Sequence, residues 1–558
     1  MKIRFQGRWA FVLVALFWAS ASLAQLVGIE ALEGLPNALQ VFLYEEQVLH
    51  NKNLWPANSF DSDIDPKYNP ENRPVFGLAY YLVPTELGIL LESPELSDEV
   101  LEQITVQKNG KSYYKLFVHP ESEAHYEFLK ARCEYISSEA SEFYASPTSS
   151  YRSLLVWNKN DQSRVSFIAK VSLDRDIIGS IDRLVSKREV IRSVTNQRFV
   201  SRLGEAHWKA SHMRFFPETA GLTLNIENGF KKIGGQLIRE IPIEVRQGVR
   251  RWISFSALMS PNRKDGIPLI VDVLQKSGLT PEKFVRTFLI QGYLEMCKRV
   301  SIETGLNIEP HSQNLLFETT QNLVPTGNWV YRDFGGMFPD LLTMLENAID
   351  IRDYQIENNA SHLKLLEGRT DIINSFLFFY RRQVFDMTLA ELQKFYPREL
   401  NNRIVRSLRS ELNSSWMNLI ESHFKTRLFN SEPTLNEQAS LVKKAKNSAK
   451  YSLDSSWKEL PTKSLPSTMA ALLPWNKSVY EEARKELSRR IDARDWVDFT
   501  GVPSYKKVKT YANARFYSKG AITIATDKDR VLGFSLSSEK AAPEAPLCLS
   551  FLKAAAGF

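Results

Sequence analysis

Glu309-Pro310-His311-Ser312-Gln313-Asn314 and, one hairpin further on, Tyr331-Arg332-Asp333-Phe334-Gly335-Gly336 form the most informative set of reactive side chains in the sequence. Polar groups crowd one strand end and a carboxylate arrives on the neighbouring strand. The oxygens of Glu309, Asn314 and Asp333 are hard ligands of the kind Mg2+ takes, with phosphate oxygens sharing the coordination shell. Arg332 beside them can neutralise charge that develops on a phosphate. The combination suits a magnesium nucleotide. Its plain counterpart is a hydrogen-bonded hairpin with a buried ion pair, and neither motif by itself separates the two.

An Asn a few residues past a catalytic Asp, with a later Asp-Phe-Gly, is how kinase-like phosphotransferases hold their metal. Asn314 with Asp333-Phe334-Gly335 could stand in for that pair. The base position, however, holds Ser312 or Gln313, and no G-x-G-x-x-G loop precedes, so phosphotransfer is a minor alternative. The longer series is more specific. Ser149-Ser150-Tyr151-Arg152-Ser153 is followed by Lys170, then by Ser180 with Arg183, then by Gly305, Glu309, His311-Ser312-Gln313-Asn314, Arg332-Asp333 and Gly335. This order resembles the IucA/IucC family of NRPS-independent siderophore synthetases. There an S-S-x-R-T phosphate motif, a lysine and a helix bearing Ser and Arg precede H-x-Q-N and R-D. Ser153 replaces the usual Thr and keeps the hydroxyl.

The resemblance implies ATP and Mg2+ as cofactors. It implies nucleotide binding by Ser150, Arg152, Ser153, Lys170, Arg183, Glu309, His311, Gln313, Asn314 and Asp333. Metal ligation falls to Glu309, Asn314 and Asp333, and catalytic roles to Arg152, Lys170, His311 and Arg332. Charge agrees with this, because Arg152, Lys170 and Arg183 would surround a triphosphate with fixed positive charge while Ser150 and Ser153 donate hydrogen bonds. A G-H-P-x-H-P-x-x-K-x-R segment that contacts the carboxylate substrate in the family is similar to Val118-His119-Pro120 followed by His125, Lys130 and Arg132. It departs in its histidine spacing and in lacking the second proline. A helix start at Pro120 with solvated charges accounts for His119 about as well as a ligand role does.

The reaction so implied is adenylation of a citrate-like carboxylic acid by ATP, with release of pyrophosphate. An amine or hydroxyl nucleophile then displaces AMP. The implied fold is a mixed α/β (α+β) cupped hand of thumb, fingers and palm, followed by a helix-rich FhuF-like region. A homodimer is compatible with it.

Elements must position these groups. Residues 25–149 have a mixed α/β pattern, with a Pro- and Asn-rich loop at Asn51 to Arg73 and helical signals around Ser93 to Val106. From Leu154 to Val171 two alternating runs flank Asn158-Lys159-Asn160-Asp161, which predicts a hairpin with Lys170 on its second strand. Thr280-Pro281-Glu282 gives an N-cap, a first-turn proline and an early acid; Phe284, Phe288, Met296 and Val300 then share a helical face that ends before Gly305. Leu306 to Ile308, Leu315 to Phe317 and Trp329 to Tyr331 read as short strands. Helical periodicity dominates Ile349 to Phe429, where Phe376, Phe379, Tyr380, Val384, Phe385 and Leu389 make a core stripe. The expected divisions are a leader at 1–24, a synthetase core at 25–348, a helical FhuF-like region at 349–430, a polar connection at 431–467 and a small mixed unit at 468–558.

With 558 residues, 43% hydrophobic and 24% charged, the chain can bury several packed layers. Its formal charge of +7 includes Lys2, Arg4 and Arg8 near the start. The one basic run elsewhere, Lys187, Arg188, Arg192 and Arg198 on a predicted helix, reads as a solvated face, so no nucleic-acid partner is expected. Three scattered cysteines and 8 histidines without HExxH or paired Cys/His spacing argue against a disulfide framework and a zinc site. Lys2, Arg4 and Arg8 precede the apolar run Trp9 to Trp18 and the small residues Ala19 to Ala24, the pattern of a secretory signal peptide too short to span a bilayer. The leader implies export; if it is misassigned, the protein works in the cytoplasm. Export also keeps open an alternative function, a non-catalytic binding protein that reuses the synthetase fold. No integral membrane domain is expected.

Overall fold

The structure is a computed structural model that describes residues 26–27, 29–47, 64–176, 182–225, 234–261, 265–339, 344, 349 and 375–424, with strands at 458–459, 496–498, 515–519, 522–527 and 530–536. The leader at 1–24, Ser180, most of 340–374 and most of the polar connection lie outside the described residues. Two compact units are formed. The first comprises 1–52, 56–191 and 218–248; the second comprises 53–55, 192–217 and 249–558. The interval 25–348, expected as one core, thus contributes to both.

In the first unit an eight-stranded sheet runs in the order Leu26–Val27, Val75–Gly77, Phe143–Pro147, Ser153–Asn158, Phe167–Val171, Gln236–Glu240, Glu218–Leu224, Gly88–Glu92, with every neighbour antiparallel. A four-stranded antiparallel sheet of Thr105–Lys108, Lys111–Val118, Ala79–Pro84 and Glu134–Ile136 shares its core. Phe76, Leu154, Val156, Phe167 and Ile238 of the larger sheet meet Tyr80, Leu82 and Phe117 of the smaller one. The predicted hairpin is present, with the Asn158 side chain accepting the Asn160 and Asp161 amides at 2.9 Å. Its strands are buried along nearly their whole length rather than alternating. Central strands covered on both faces have no solvent side to leave polar. Ser97 caps the helix Asp98–Ile104 by accepting the Val100 amide, within the interval where helical signals were read.

In the second unit a four-stranded sheet places Met213–Phe215 parallel to Pro325–Tyr331, followed by Leu315–Thr320 and Arg250–Ser254. Glu318 is fully buried on this sheet, yet its carboxylate is well supplied with donors. It accepts from Trp252 Nε1 at 2.9 Å, Thr326 Oγ1 at 2.8 Å and Asn328 Nδ2 at 2.7 Å, and pairs with Arg214 at 3.2 Å. Helical structure is continuous from Pro281 to Glu303, capped by Thr280 as the sequence implies. Two of its segments, Val285–Gln291 and Lys298–Glu303, are wound as π-helix. Gly305, at φ 74°, takes the left-handed conformation that ends the run. Ser375–Phe385, Asp386–Phe395 and Asn402–Phe424 are helical. Phe376, Tyr380, Val384, Phe385 and Leu389 are fully buried there, as a core stripe requires, whereas Phe379 of the expected stripe is only half-buried, its ring 5.9 Å from that of His311. Lys458–Glu459 and four later strands form a five-stranded antiparallel sheet. No helix among the described residues is long and apolar enough to cross a membrane.

Candidate functional site

The phosphate-motif residues occupy a tight turn between two strands of the larger sheet. The Ser153 amide donates to the Ser150 carbonyl at 3.0 Å, and Thr148 donates back to Ser153 at 2.8 Å. Sheet register sets Lys170 directly opposite Ser153, and the Val171 amide donates to the Arg152 carbonyl at 2.8 Å. Arg152, in the turn that leads into the strand Ser153–Asn158, and Lys170, on the antiparallel neighbour Phe167–Val171, are brought together in space by that pairing. Arg152 Nη1 donates to the Arg183 backbone carbonyl at 2.9 Å, a main-chain contact that ties the turn to the strand Asp182–Arg183. Both side chains then converge on one acceptor: Glu189 Oε1 lies 2.9 Å from Lys170 Nζ and 3.2 Å from Arg152 Nη2. Glu189 stands in the first turn of the helix Lys187–Leu203, its amide donating to Ser186 Oγ at 3.1 Å.

The turn is held from behind. Glu46, buried at the end of the helix Asn37–Gln47, accepts the Ser149 amide at 3.2 Å, while Gln47 donates to Ser146 Oγ and the Pro147 carbonyl at 2.8 Å each. Glu46, Gln47 and Glu189 are neighbours of this turn and of Lys170 that the motif reading missed. Their positions follow from helix placement, and no spacing in the sequence announces them.

In the second unit, Glu309 to Asn314 form a compact turn ahead of the strand Leu315–Thr320. The His311 amide donates to the Glu309 carbonyl at 2.8 Å, and those of Asn314 and Leu315 to the His311 carbonyl at 3.0 Å. His311 Nδ1 accepts the Gln313 amide at 3.3 Å. The Arg332 guanidinium is buried, and its Nε donates to the Gln313 carbonyl at 2.9 Å. Asn314 Nδ2 donates to Asp333 Oδ2 at 3.3 Å. Asp333 is held at φ 82°, a conformation Asp tolerates better than most residues. A side chain at Gly336 would have its Cβ 3.2 Å from Glu309 Oε2 and 3.5 Å from Asp333 Oδ2, so both carboxylates face the space that this glycine leaves. Asn196 secures the turn by donating to the Phe334 carbonyl at 2.8 Å and to the Met337 carbonyl at 3.2 Å. It too carries no sequence signal.

Two carboxylates beside one glycine are oxygen donors of the kind Mg2+ takes, while Asn314 turns its Nδ2 toward Asp333. No group of three or more His, Cys, Asp or Glu suited to a metal occurs among the described residues. Any ion here would therefore take part of its shell from water or phosphate.

The four expected substrate residues differ in their surroundings. His119 is fully buried, edge-on to Tyr68 and Phe76, with Nδ1 accepting the Glu121 amide at 3.1 Å; it caps the short helix at Pro120. Burial, helped by Arg175, pushes its imidazole down to about 3, so the ring is neutral. The structure thus places His119 in the core rather than on a binding surface. His125 is mostly buried, its Nδ1 3.9 Å from the Asp174 carboxylate. Lys130 is exposed and pairs with Glu127 at 2.5 Å, and Arg132 is exposed.

Residues 55–260 match the family model described as the IucA / IucC family. That segment, well under half of the chain, is similar to the IucA/IucC family. It contains the phosphate turn, Lys170, Arg183 and His119, and it ends before Glu309 and before the region 349–430. IucA/IucC proteins of known structure have a similar fold. The ATP-bound aerobactin synthetase IucA from a hypervirulent pathotype of Klebsiella pneumoniae superimposes with a TM-score of 0.51 at 17% identity, covering 71% of this chain and 72% of that one. Aerobactin synthetase IucC from the same source gives a TM-score of 0.50 at 17% identity, covering 66% and 69%. No curated protein sequence matches the chain.

Proposed function

We propose that the protein is an ATP-dependent ligase of the siderophore-synthetase kind, which adenylates a citrate-like carboxylic acid and joins it to an amine or hydroxyl nucleophile. The observation that carries this reading is the meeting of Arg152 and Lys170 on a single anionic oxygen, inside the IucA/IucC segment. Lys170 on its strand and Arg152 in the turn beside it would make an anion site positioned before any ligand arrives. The similar aerobactin synthetase IucA structure is ATP-bound, which favours a nucleotide phosphate as that anion.

In the proposed reaction the acid's carboxylate oxygen attacks the α-phosphorus of ATP, and the bond to the β-phosphate oxygen breaks, so pyrophosphate leaves with the electron pair. The nucleophile then adds to the acyl carbon, AMP departs, and the nucleophile's proton passes to solvent. Arg152 and Lys170 stabilise the charge on the phosphates. Glu309, Asn314 and Asp333 would hold Mg2+, which supplies charge neutralisation at phosphate oxygens. Arg332, fixed by the Gln313 carbonyl, and His311, fixed by the Gln313 amide, are positioned rather than mobile. No covalent enzyme nucleophile is needed.

The test is hydroxamate formation by the protein with Mg2+, ATP, hydroxylamine and, in turn, citrate, 2-oxoglutarate or succinate. Product that depends on one acid and on ATP supports the ligase. ATP binding with no hydroxamate from any acid contradicts it and leaves a binding protein.

A further inference from the structure

The carboxylate of Glu189 sits where an anion-binding site would be expected to hold a phosphate. Its Oε1 accepts from both Lys170 at 2.9 Å and Arg152 at 3.2 Å. The three side chains differ in depth: Lys170 is 5% exposed, Arg152 12% and Glu189 17%. The cations are therefore the inner members and the carboxylate the outer one. The cations are also tied elsewhere, Lys170 by its place on a central strand and Arg152 by its bond to the Arg183 carbonyl. Glu189 reaches them on a three-torsion stem from a first helical turn, so a change of rotamer moves its carboxylate without moving the backbone of sheet or helix. A carboxylate left beside an incoming polyphosphate would repel it, whereas buried cations with no anion at all are strongly disfavoured.

We infer that Glu189 is a built-in occupant of the anion site, which keeps Arg152 and Lys170 paired until a phosphate-bearing ligand takes its place and so sets the affinity for that ligand. The inference rests on the reading of Arg152 and Lys170 as phosphate-binding groups. Glu189 is on this account a positioning residue that weakens binding in exchange for an intact empty site.

The experiment is calorimetric titration of inorganic pyrophosphate, and separately of ATP, into the full chain and its Glu189→Gln and Glu189→Asp forms, with thermal melts of each alone and with saturating pyrophosphate. Glu189→Gln keeps the shape and removes the charge. It is expected to bind pyrophosphate about tenfold more tightly than wild type, the effect of removing roughly one unfavourable charge interaction at a partly screened site. It should also melt lower than wild type when empty and gain more from pyrophosphate. Glu189→Asp, whose shorter stem strains the bridge to both cations, should bind more tightly than wild type by a smaller factor. It decides the matter if Glu189→Gln fails to fold. Unchanged or weaker binding by the folded variants, with wild type binding normally, overturns the inference alone. Wild type and variants all without affinity for pyrophosphate and ATP would overturn the phosphate-site reading as well.

Discussion

Arg152 makes two bonds that can be exchanged for ligand contacts, and its backbone carbonyl is engaged separately by Val171. Arg152→Ala should therefore leave the sheet register intact while removing a preorganised donor at the phosphates. Losses of about 100-fold or more are usual for such a donor, and pyrophosphate release alongside a cooperative melt would show this. Asp333→Asn is the cleaner probe of the metal site, because Asn also tolerates the left-handed backbone at this position. Nucleotide binding by that variant should lose its dependence on Mg2+; a retained dependence would remove Asp333 from the ligand set. His119 gives a pH prediction. Its folded-state value of about 3 lies below the ordinary 6.5, so protonation favours the unfolded chain. The stability it contributes is complete above pH 6.5 and declines as pH falls toward 3, by about 1.4 kcal/mol per pH unit. His119→Phe, matching the aromatic surroundings of Tyr68 and Phe76, should flatten that part of the melting-temperature profile relative to wild type. Profiles that run parallel would contradict the buried neutral ring.

Elements make the difference between residues that could be read from sequence and those that could not. Arg152, Lys170, Asn314 and Asp333 stand out in the sequence by an order that resembles the IucA/IucC pattern, and their roles are those proposed above. The Thr280 cap, the helix that Gly305 ends and the hairpin around Asn158 were legible because local backbone chemistry dictates them. Glu189, Glu46 and Asn196 were not, since each acts on a segment distant in sequence through a helix whose placement only the folded chain defines. The burial of both hairpin strands was missed for a related reason, as covering layers come from elsewhere in the chain. At this scale Glu318 is the strongest test. Four donors converge on its buried carboxylate, so Glu318→Ala leaves Arg214 and the Trp252 indole without their acceptor. A destabilisation of about 3 to 5 kcal/mol is expected from breaking a buried pair, read as a lowered melting temperature and faster proteolysis of the second unit. A variant as stable as wild type would show that the carboxylate is not needed to hold the sheet.

For the whole molecule, the cations that the proposal assigns to phosphate belong to the first unit and the oxygen ligands assigned to Mg2+ to the second. The fold class was readable from sequence, whereas the division of 25–348 between two units was not, because the chain enters the second unit at 192–217, returns to the first at 218–248, and leaves again at 249. Such interleaving leaves no composition shift or linker to detect. The most direct measurement of what the protein does with ATP is acid-dependent exchange of labelled pyrophosphate into ATP by the full chain with Mg2+. Exchange requires that an acyl adenylate form and revert. The account predicts exchange with a citrate-like acid, none without acid, and at least a 100-fold loss in Arg152→Ala. Exchange absent with every acid, from protein that binds ATP, would contradict the account.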